Sequence, residues 1–96
     1  MIKHIVCFKL KDGGEENCKK ARDVLMSMNG NVPLLRGIDV HLDQLHSARS
    51  YDVMLEVILD SWKDLESYQN DPYHCNVVKK HMHAVRESSI AMDFEM

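Results

Sequence analysis

The chain has 96 residues and a mass of 11.1 kDa, which is the size of one small domain. Hydrophobic residues make up 45% of it, too many for a disordered chain, and the net charge of −3 argues against a nucleic-acid-binding protein. The sequence has no apolar run of about 18 residues, and its first residues lack the long apolar stretch of a secretory signal, so we expect a cytoplasmic protein that does not contact a membrane.

The hydrophobic pattern divides the chain into strands and helices. Apolar residues recur at every second position in the strands and at three- or four-residue intervals in the helices. In chain order, the predicted elements are a strand at 2–10, a helix at 15–28, strands at 36–43 and 51–59, a helix from Ser61, a helix at 72–87 and a strand at 89–95.

Capping residues mark the predicted start of each helix. Asp12 and Glu15 resemble a capping pair before the first helix. Ser61 can cap the second helix. Asp71 is a good N-cap for the third helix, and Pro72 is a good first helical residue.

The order β-α-β-β-α(α)-β is typical of the ferredoxin-like split βαβ fold, an α+β architecture. It predicts a four-stranded antiparallel sheet with helices on one face. Trp62, Leu65 and Tyr68 of the second helix are predicted to pack against this face. The other face would expose an apolar patch, and such a patch usually marks an interface. We therefore expect a homodimer with the two sheets face to face. The residues predicted in this patch are Ile5, Cys7, Met54, Ile58 and Ala91.

Three polar side chains are predicted to point into the layer between sheet and helices. His4 shares the apolar face of the first strand. His74 lies in the first turn of a helix, where the imidazolium is disfavoured, so its neutral ring is a usable general base. Tyr68 lies across the bend before that helix and could orient the His74 ring or polarise a carbonyl. His74 or Tyr68 could also supply the hydrogen-bond partner that His4 needs.

We expect these three side chains to converge on one cavity, although each could also be a satisfied core residue. The remaining histidines are predicted to lie on the surface or at the rim: His41, His46, His81 and His83. A metal site built on His4 and His74 would need a third ligand, and no acidic residue is obvious in the pocket, so no metal is expected. The three cysteines have no C-x-x-C spacing and are predicted to be reduced.

Several short motifs occur in a specific order along nearly the whole chain. They are Lys3-His4-Ile5-Val6, Val32-Pro33, Tyr51-Asp52-Val53-Met54-Leu55, the run from Ser61 to Tyr68, Asp71-Pro72-Tyr73-His74 and Met92-Asp93-Phe94. Together they resemble the stress-responsive dimeric alpha/beta-barrel (Dabb) domain family. The resemblance implies a homodimer whose two sheets form a barrel.

Within that family, the chain resembles the olivetolic acid cyclase-type members. The resemblance implies aldol-type ring closure of a poly-β-keto substrate without a cofactor, in a pocket whose catalytic residues fall on His74, Tyr68 and His4. The cyclase also has a tyrosine in the first helix, where this chain has Val24 and Leu25. We therefore expect a cofactor-free cyclase, lyase or isomerase that acts on a small carbonyl compound.

Two other functions are compatible with the sequence. The first is a stress-related dimeric binding module without chemistry, in which the histidines only satisfy core hydrogen bonds. A core filled around His4 and His74 would favour it. The second is a monooxygenase-like activity, by analogy with dimeric barrels that degrade haem or oxidise quinols, although none of their motifs matches closely.

Overall fold

The computed structural model describes all residues from 1 to 96. In chain order, the elements are β1 (Ile2–Leu10), α1 (Glu15–Met26), β2 (Gly37–Leu42), β3 (Val53–Leu59), α2 (Trp62–Gln69), a π-helical segment (His74–Lys79), α3 (Lys80–Val85) and β4 (Arg86–Glu95). The predicted order of strands and helices is confirmed. None of the helices combines the length and the apolar character needed to cross a bilayer.

The four strands form one antiparallel sheet in the order β2-β3-β1-β4, with the helices packed on one face. β1 is a central strand, and its His4 pairs with Val57 of β3 on one side and with Asp93 of β4 on the other. Residues in register point to the same face of a sheet, so these three side chains all face the helices. The predicted ferredoxin-like α+β fold is confirmed.

The hydrophobic core lies between the sheet and the helix layer. Every second residue of β3, from Val53 to Leu59, is buried against the helices. Ala21 and Leu25 of α1 are completely buried on the opposite side of this layer. Burial of apolar surface contributes about 25 cal/mol per Å², so this layer is the main source of stability.

Two of the three predicted helix caps are present. The Ser61 hydroxyl accepts a hydrogen bond from the Asp64 amide at 3.1 Å, and the Asp71 carboxylate accepts one from the His74 amide at 3.0 Å. The capping pair predicted before α1 is wrong, because the N-cap is Gly14 and no side chain caps the helix. Asp12 instead accepts from the Gly14 amide, within the loop.

Several predicted boundaries also shift. α1 ends at Met26 rather than 28, and β3 begins at Val53 rather than 51. The Asp52 carboxylate, just before β3, accepts a hydrogen bond from the Leu10 amide at 2.8 Å. The helix predicted over 72–87 contains the π-helical segment and ends at Val85. Arg86 is already extended, with φ −80° and ψ 143°, and it begins β4 three residues earlier than predicted.

Trp62 does not face the core as predicted, because it is 47% exposed. Its indole nitrogen donates to the Glu95 carboxylate at 3.2 Å, near the end of β4. Six residues along a helix leave Trp62 about 120° around the axis from Tyr68, so both cannot face the sheet. Tyr68 is buried and Leu65 is half-buried against the core, as predicted.

The face of the sheet away from the helices is apolar, but β4 turns different residues towards it than predicted. Ala91 pairs with Val6 and faces the helices, so its predicted place on the open face is wrong. A shift of one residue along a strand exchanges its two faces. The open face carries the exposed Ile90, Met92 and Phe94 and the half-buried Ile5, Cys7, Met54 and Ile58.

Candidate functional site

A cavity of about 250 Å³ lies between the sheet and the helices. About half of its lining residues are hydrophobic, and the polar ones come from β1, α2, the π-helical segment, α3 and β4. It is lined by His4, Val6, Phe8, Leu25, Leu55, Tyr68, Gln69, His74, Val78, Lys79, Met82, His83, Arg86, Ser89 and Ala91. The structure therefore brings His4, Tyr68 and His74 together on one cavity, as the sequence predicted.

His74 opens the π-helical segment and is held there by two hydrogen bonds. Its amide donates to the Asp71 carboxylate, and its ring Nδ1 lies 3.0 Å from the main-chain oxygen of Tyr68. A carbonyl oxygen can only accept, so Nδ1 must carry the proton in this contact. The neutral ring then has its lone pair on Nε2.

The Nε2 atom of His74 is open to the cavity. It has no protein hydrogen-bond partner, although every fully buried side-chain nitrogen and oxygen in the chain has one. Nε2 is therefore in contact with the cavity space rather than sealed in the core. A basic nitrogen without a protein partner at the wall of a cavity can take a proton from a bound molecule.

The pKa of His74 is lowered below its ordinary value, mainly because burial disfavours the charged imidazolium. The positive charge of Lys79 and the nearby His4 ring lower it further, while the hydrogen bond to Tyr68 and the Asp71 carboxylate act in the opposite direction. The net effect favours the neutral ring, but its main cause is burial rather than the helix N-terminus on which the sequence prediction rested.

Tyr68 contacts His74 through its ring rather than through its hydroxyl. The two rings are stacked, with centroids 4.1 Å apart and planes inclined by 19°. The hydroxyl of Tyr68 instead lies 3.6 Å from the sulfur of Met28 on the α1 side. Burial raises the pKa of this phenol, so it is uncharged at physiological pH.

The hydrogen-bond partner of His4 is Asp93, and the prediction that His74 or Tyr68 would serve is wrong. The Nδ1 atom of His4 bonds the Asp93 carboxylate directly across from β1 to β4. The ring of His4 meets Tyr68 edge-on, with centroids 6.0 Å apart. The carboxylate fixes the proton on Nδ1, and Nε2 is the His4 nitrogen without a protein partner.

Sequence reasoning missed two features of this site. It predicted no acidic partner for the pocket residues, yet Asp93 bonds His4 because the register pairs the two, although Asp93 itself does not line the cavity. The strand alternation did place Asp93 and Ala91 on one face, so choosing the correct face of β4 would have revealed it. It also predicted a regular helix where the π-helical segment lies, and residue pattern alone gives no signal for that segment.

One group of side chains outside the cavity has a spacing compatible with metal binding. Asp39, His41 and Glu56 lie on the open face of the sheet, with their ligand atoms within 4.8 Å of one another. His41 Nε2 lies 3.4 Å from the Asp39 carboxylate and 3.5 Å from that of Glu56. Asp39 and His41 are exposed and Glu56 is half-buried, and exposed acidic groups commonly lie this close together without a metal.

The sequence also matches known proteins. The family model described as the stress responsive A/B barrel domain (Dabb) matches residues 2–96. A stress-response A/B barrel domain-containing protein of Arabidopsis thaliana is 29% identical over 97 residues, which cover 98% of this chain and 36% of that protein. The chain therefore spans little more than a third of the length of that relative.

Solved structures share the fold at low sequence identity. A dimeric ferredoxin-like protein of unknown function from Bacteroides fragilis is 24% identical, with a TM-score of 0.80, over 99% of this chain and 95% of its own. A hydroxynitrile lyase from Passiflora edulis is 13% identical, with a TM-score of 0.83, over 99% of this chain and 92% of its own. At these identities the likeness concerns the fold.

Proposed function

The chain belongs to the stress-responsive A/B barrel domain family, and from that premise we propose that it binds a small carbonyl compound in the cavity and transfers a proton next to the carbonyl group. The observation that carries this proposal is the state of His74. Its proton is held on Nδ1 by the Tyr68 carbonyl, its pKa is lowered by burial, and its Nε2 is open to the cavity.

In the proposed reaction, Nε2 of His74 removes a proton from the carbon beside the carbonyl. The electron pair of that C–H bond forms the enolate, whose negative charge lies on oxygen. His4, oriented by Asp93, lines the same cavity, where its Nε2 can accept a hydrogen bond from a hydroxyl group of the bound molecule. In an aldol-type ring closure, the enolate carbon then attacks a second carbonyl of the same molecule, and the new alkoxide takes the proton back from His74.

We assign Tyr68 a positioning role in this proposal. Its ring stacks on His74 and its main-chain oxygen fixes the tautomer, whereas its hydroxyl lies at Met28. A base that is held in one orientation by its neighbours loses little further freedom in the transition state. The fold that this chain shares with a hydroxynitrile lyase is compatible with lyase or cyclase chemistry on a carbonyl compound.

The cavity also supports ligand binding over a purely structural role for the histidines. A core filled around His4 and His74 would have favoured a binding module without chemistry, and the space beside them is instead open. This volume lies just below the range of about 300–1,000 Å³ that is usual for pockets holding drug-sized molecules. We therefore propose a small ligand, of about the size of a substituted benzene.

The test is deuterium exchange at the carbon between the two carbonyls of 1-phenylbutane-1,3-dione, followed by NMR against a buffer blank. His74→Asn keeps a side-chain amide that can donate to the Tyr68 carbonyl but removes Nε2, so exchange should fall by about a hundredfold or more. His46→Asn is the matched control, because His46 is exposed, lies outside the cavity and has φ 56°, which asparagine tolerates. Full activity in His74→Asn, or no acceleration by the unsubstituted protein, would contradict the proposal.

We further propose that the protein is a homodimer that buries the open face of its sheet. In the isolated chain, this face presents apolar surface to water, because Ile90 is 53%, Met92 66% and Phe94 39% exposed. Some proteins of the same fold are described as dimeric. Two copies related by a two-fold axis would bury this face on both chains, and the total buried surface area would be of the order of 1,500 Å².

A further inference from the structure

The mouth of the cavity is positively charged although the chain as a whole is acidic. The net charge of the chain is −3, but no aspartate or glutamate is among the residues that line the cavity. Two permanent cations, Lys79 and Arg86, line it together with His83. Neither cation is part of a salt bridge in the protein, so their charge at this mouth is not neutralised by an internal partner.

A shift in the pairing register between β1 and β4 places Arg86 at the cavity mouth. β1 and β4 pair regularly through Phe8 with Ser89 and Lys9 with Ser88, so the next pair would be Leu10 with Glu87. The register shifts there, and Leu10 pairs with Arg86 instead. Leu10 faces the helices, so regular pairing would have turned the carboxylate of Glu87 towards the cavity, and the bulge turns a guanidinium there.

The π-helical segment places the second cation on the same wall. Its hydrogen bonds run from residue i to residue i+5, so Lys79 lies about one turn after His74 and on the same side. In an α-helix the same two residues would lie about 140° apart around the axis. The Lys79 ammonium is held at the rim by a hydrogen bond of 2.8 Å to the main-chain oxygen of Gln69.

We propose that this mouth binds an anionic oxygen group of the ligand, with Arg86 as the main contact and Lys79 beside it. The ligand is then a small molecule with an apolar body in the cavity and a negative group at the rim. That group is either a carboxylate of the ligand itself or a phosphate of a carrier, such as coenzyme A, to which the ligand is attached. A guanidinium binds both through paired N–H donors. The inference rests on the proposed function only in placing the ligand in the same cavity.

The experiment compares 3-phenylpropanoate with 3-phenylpropanamide, which has the same shape and no charge, by titration calorimetry on the full chain. We expect the acid to bind about tenfold more tightly than the amide. The preference should disappear in Arg86→Gln and persist in Arg86→Lys. Arg49→Gln is the control, because Arg49 is exposed and lies outside the cavity. A second test needs no variant, because added salt should weaken binding of the acid and leave the affinity for the amide unchanged.

Coenzyme A is titrated in parallel to identify the source of the negative group. Binding that depends on Arg86, without a preference for the acid over the amide, would assign the group to a carrier phosphate. The inference is overturned if the acid and the amide bind equally tightly and coenzyme A shows no binding that depends on Arg86. It is also overturned if neither anion, the acid or coenzyme A, binds at millimolar concentration. Exchange of the neutral diketone by the unsubstituted protein would in that case still support the proposed function. Charge selectivity without any exchange would support only the inference.

Discussion

Removal of the Tyr68 hydroxyl should leave the proposed activity nearly intact. The hydroxyl contacts only the Met28 sulfur, at 3.6 Å, and a thioether is a weak acceptor. Loss of such a hydrogen bond in Tyr68→Phe changes stability by about 1 kcal/mol or less, because neither group is charged. If the same amount reached the transition state, the exchange rate would change by about fivefold at most.

The ring of Tyr68 should matter more than its hydroxyl. Tyr68→Leu keeps an apolar side chain but removes the stacking on His74, where the ring centroids are 4.1 Å apart. Aromatic pairs contribute about 0.5–1.5 kcal/mol beyond the area that they bury, and a smaller side chain leaves a cavity as well. The unfolding temperature and the diketone exchange rate should therefore both fall in the order wild type, Tyr68→Phe, Tyr68→Leu. A folded Tyr68→Phe that loses about a hundredfold in rate would show that the phenol acts on the substrate, and would refute the positioning role.

The other predictions concern the two histidines and the open face. Because burial lowers the pKa of His74, the exchange rate should stay level from pH 8 down to about 6.5 and fall only below that, and a fall centred above 7 would contradict the assignment. The free energy of unfolding should also decrease below about pH 6.5, because the unfolded chain then binds a proton that folded His74 resists, and His74→Asn should remove this contribution. Asp93→Asn should lower the exchange rate by about tenfold or less, since Asp93 orients His4 but is 32% exposed, and an unchanged rate would exclude the pair from the mechanism. Ile58→Asp should dissociate or unfold the dimer, because an unpaired buried charge costs about 3–5 kcal/mol, and a wild-type monomer in light scattering at micromolar concentration would refute the dimer itself.

The element order and the fold follow from the sequence because the hydrophobic pattern changes period clearly between strands and helices. The helix-facing side of β1 is apolar except at His4, which identified both the buried face and the histidine within it. The Asp71-Pro72 start of the last helix likewise placed His74 next to the core. These signals are local, and local signals were sufficient to bring His4, Tyr68 and His74 to one cavity.

The parts that could not be predicted depend on non-local pairing. Both faces of β4 contain apolar residues, so its alternation does not show whether Ala91 or Ile90 faces the helices. The partner of His4 follows only from this register, because Asp93 is 89 residues away in sequence. The bulge that turns Arg86 rather than Glu87 inward arises where β4 begins directly after α3, which no periodic pattern records.

The central claim is that His74 is a neutral base with its lone pair on Nε2, and NMR of the imidazole nitrogens tests it directly. Nitrogen-15-labelled protein is titrated with acid, and the His74 signals are assigned by their absence in His74→Asn. We expect a protonated Nδ1 and an unprotonated Nε2 at pH 7, and a titration midpoint below about 6.5. A protonated Nε2 at pH 7, or a midpoint above about 7, would contradict it.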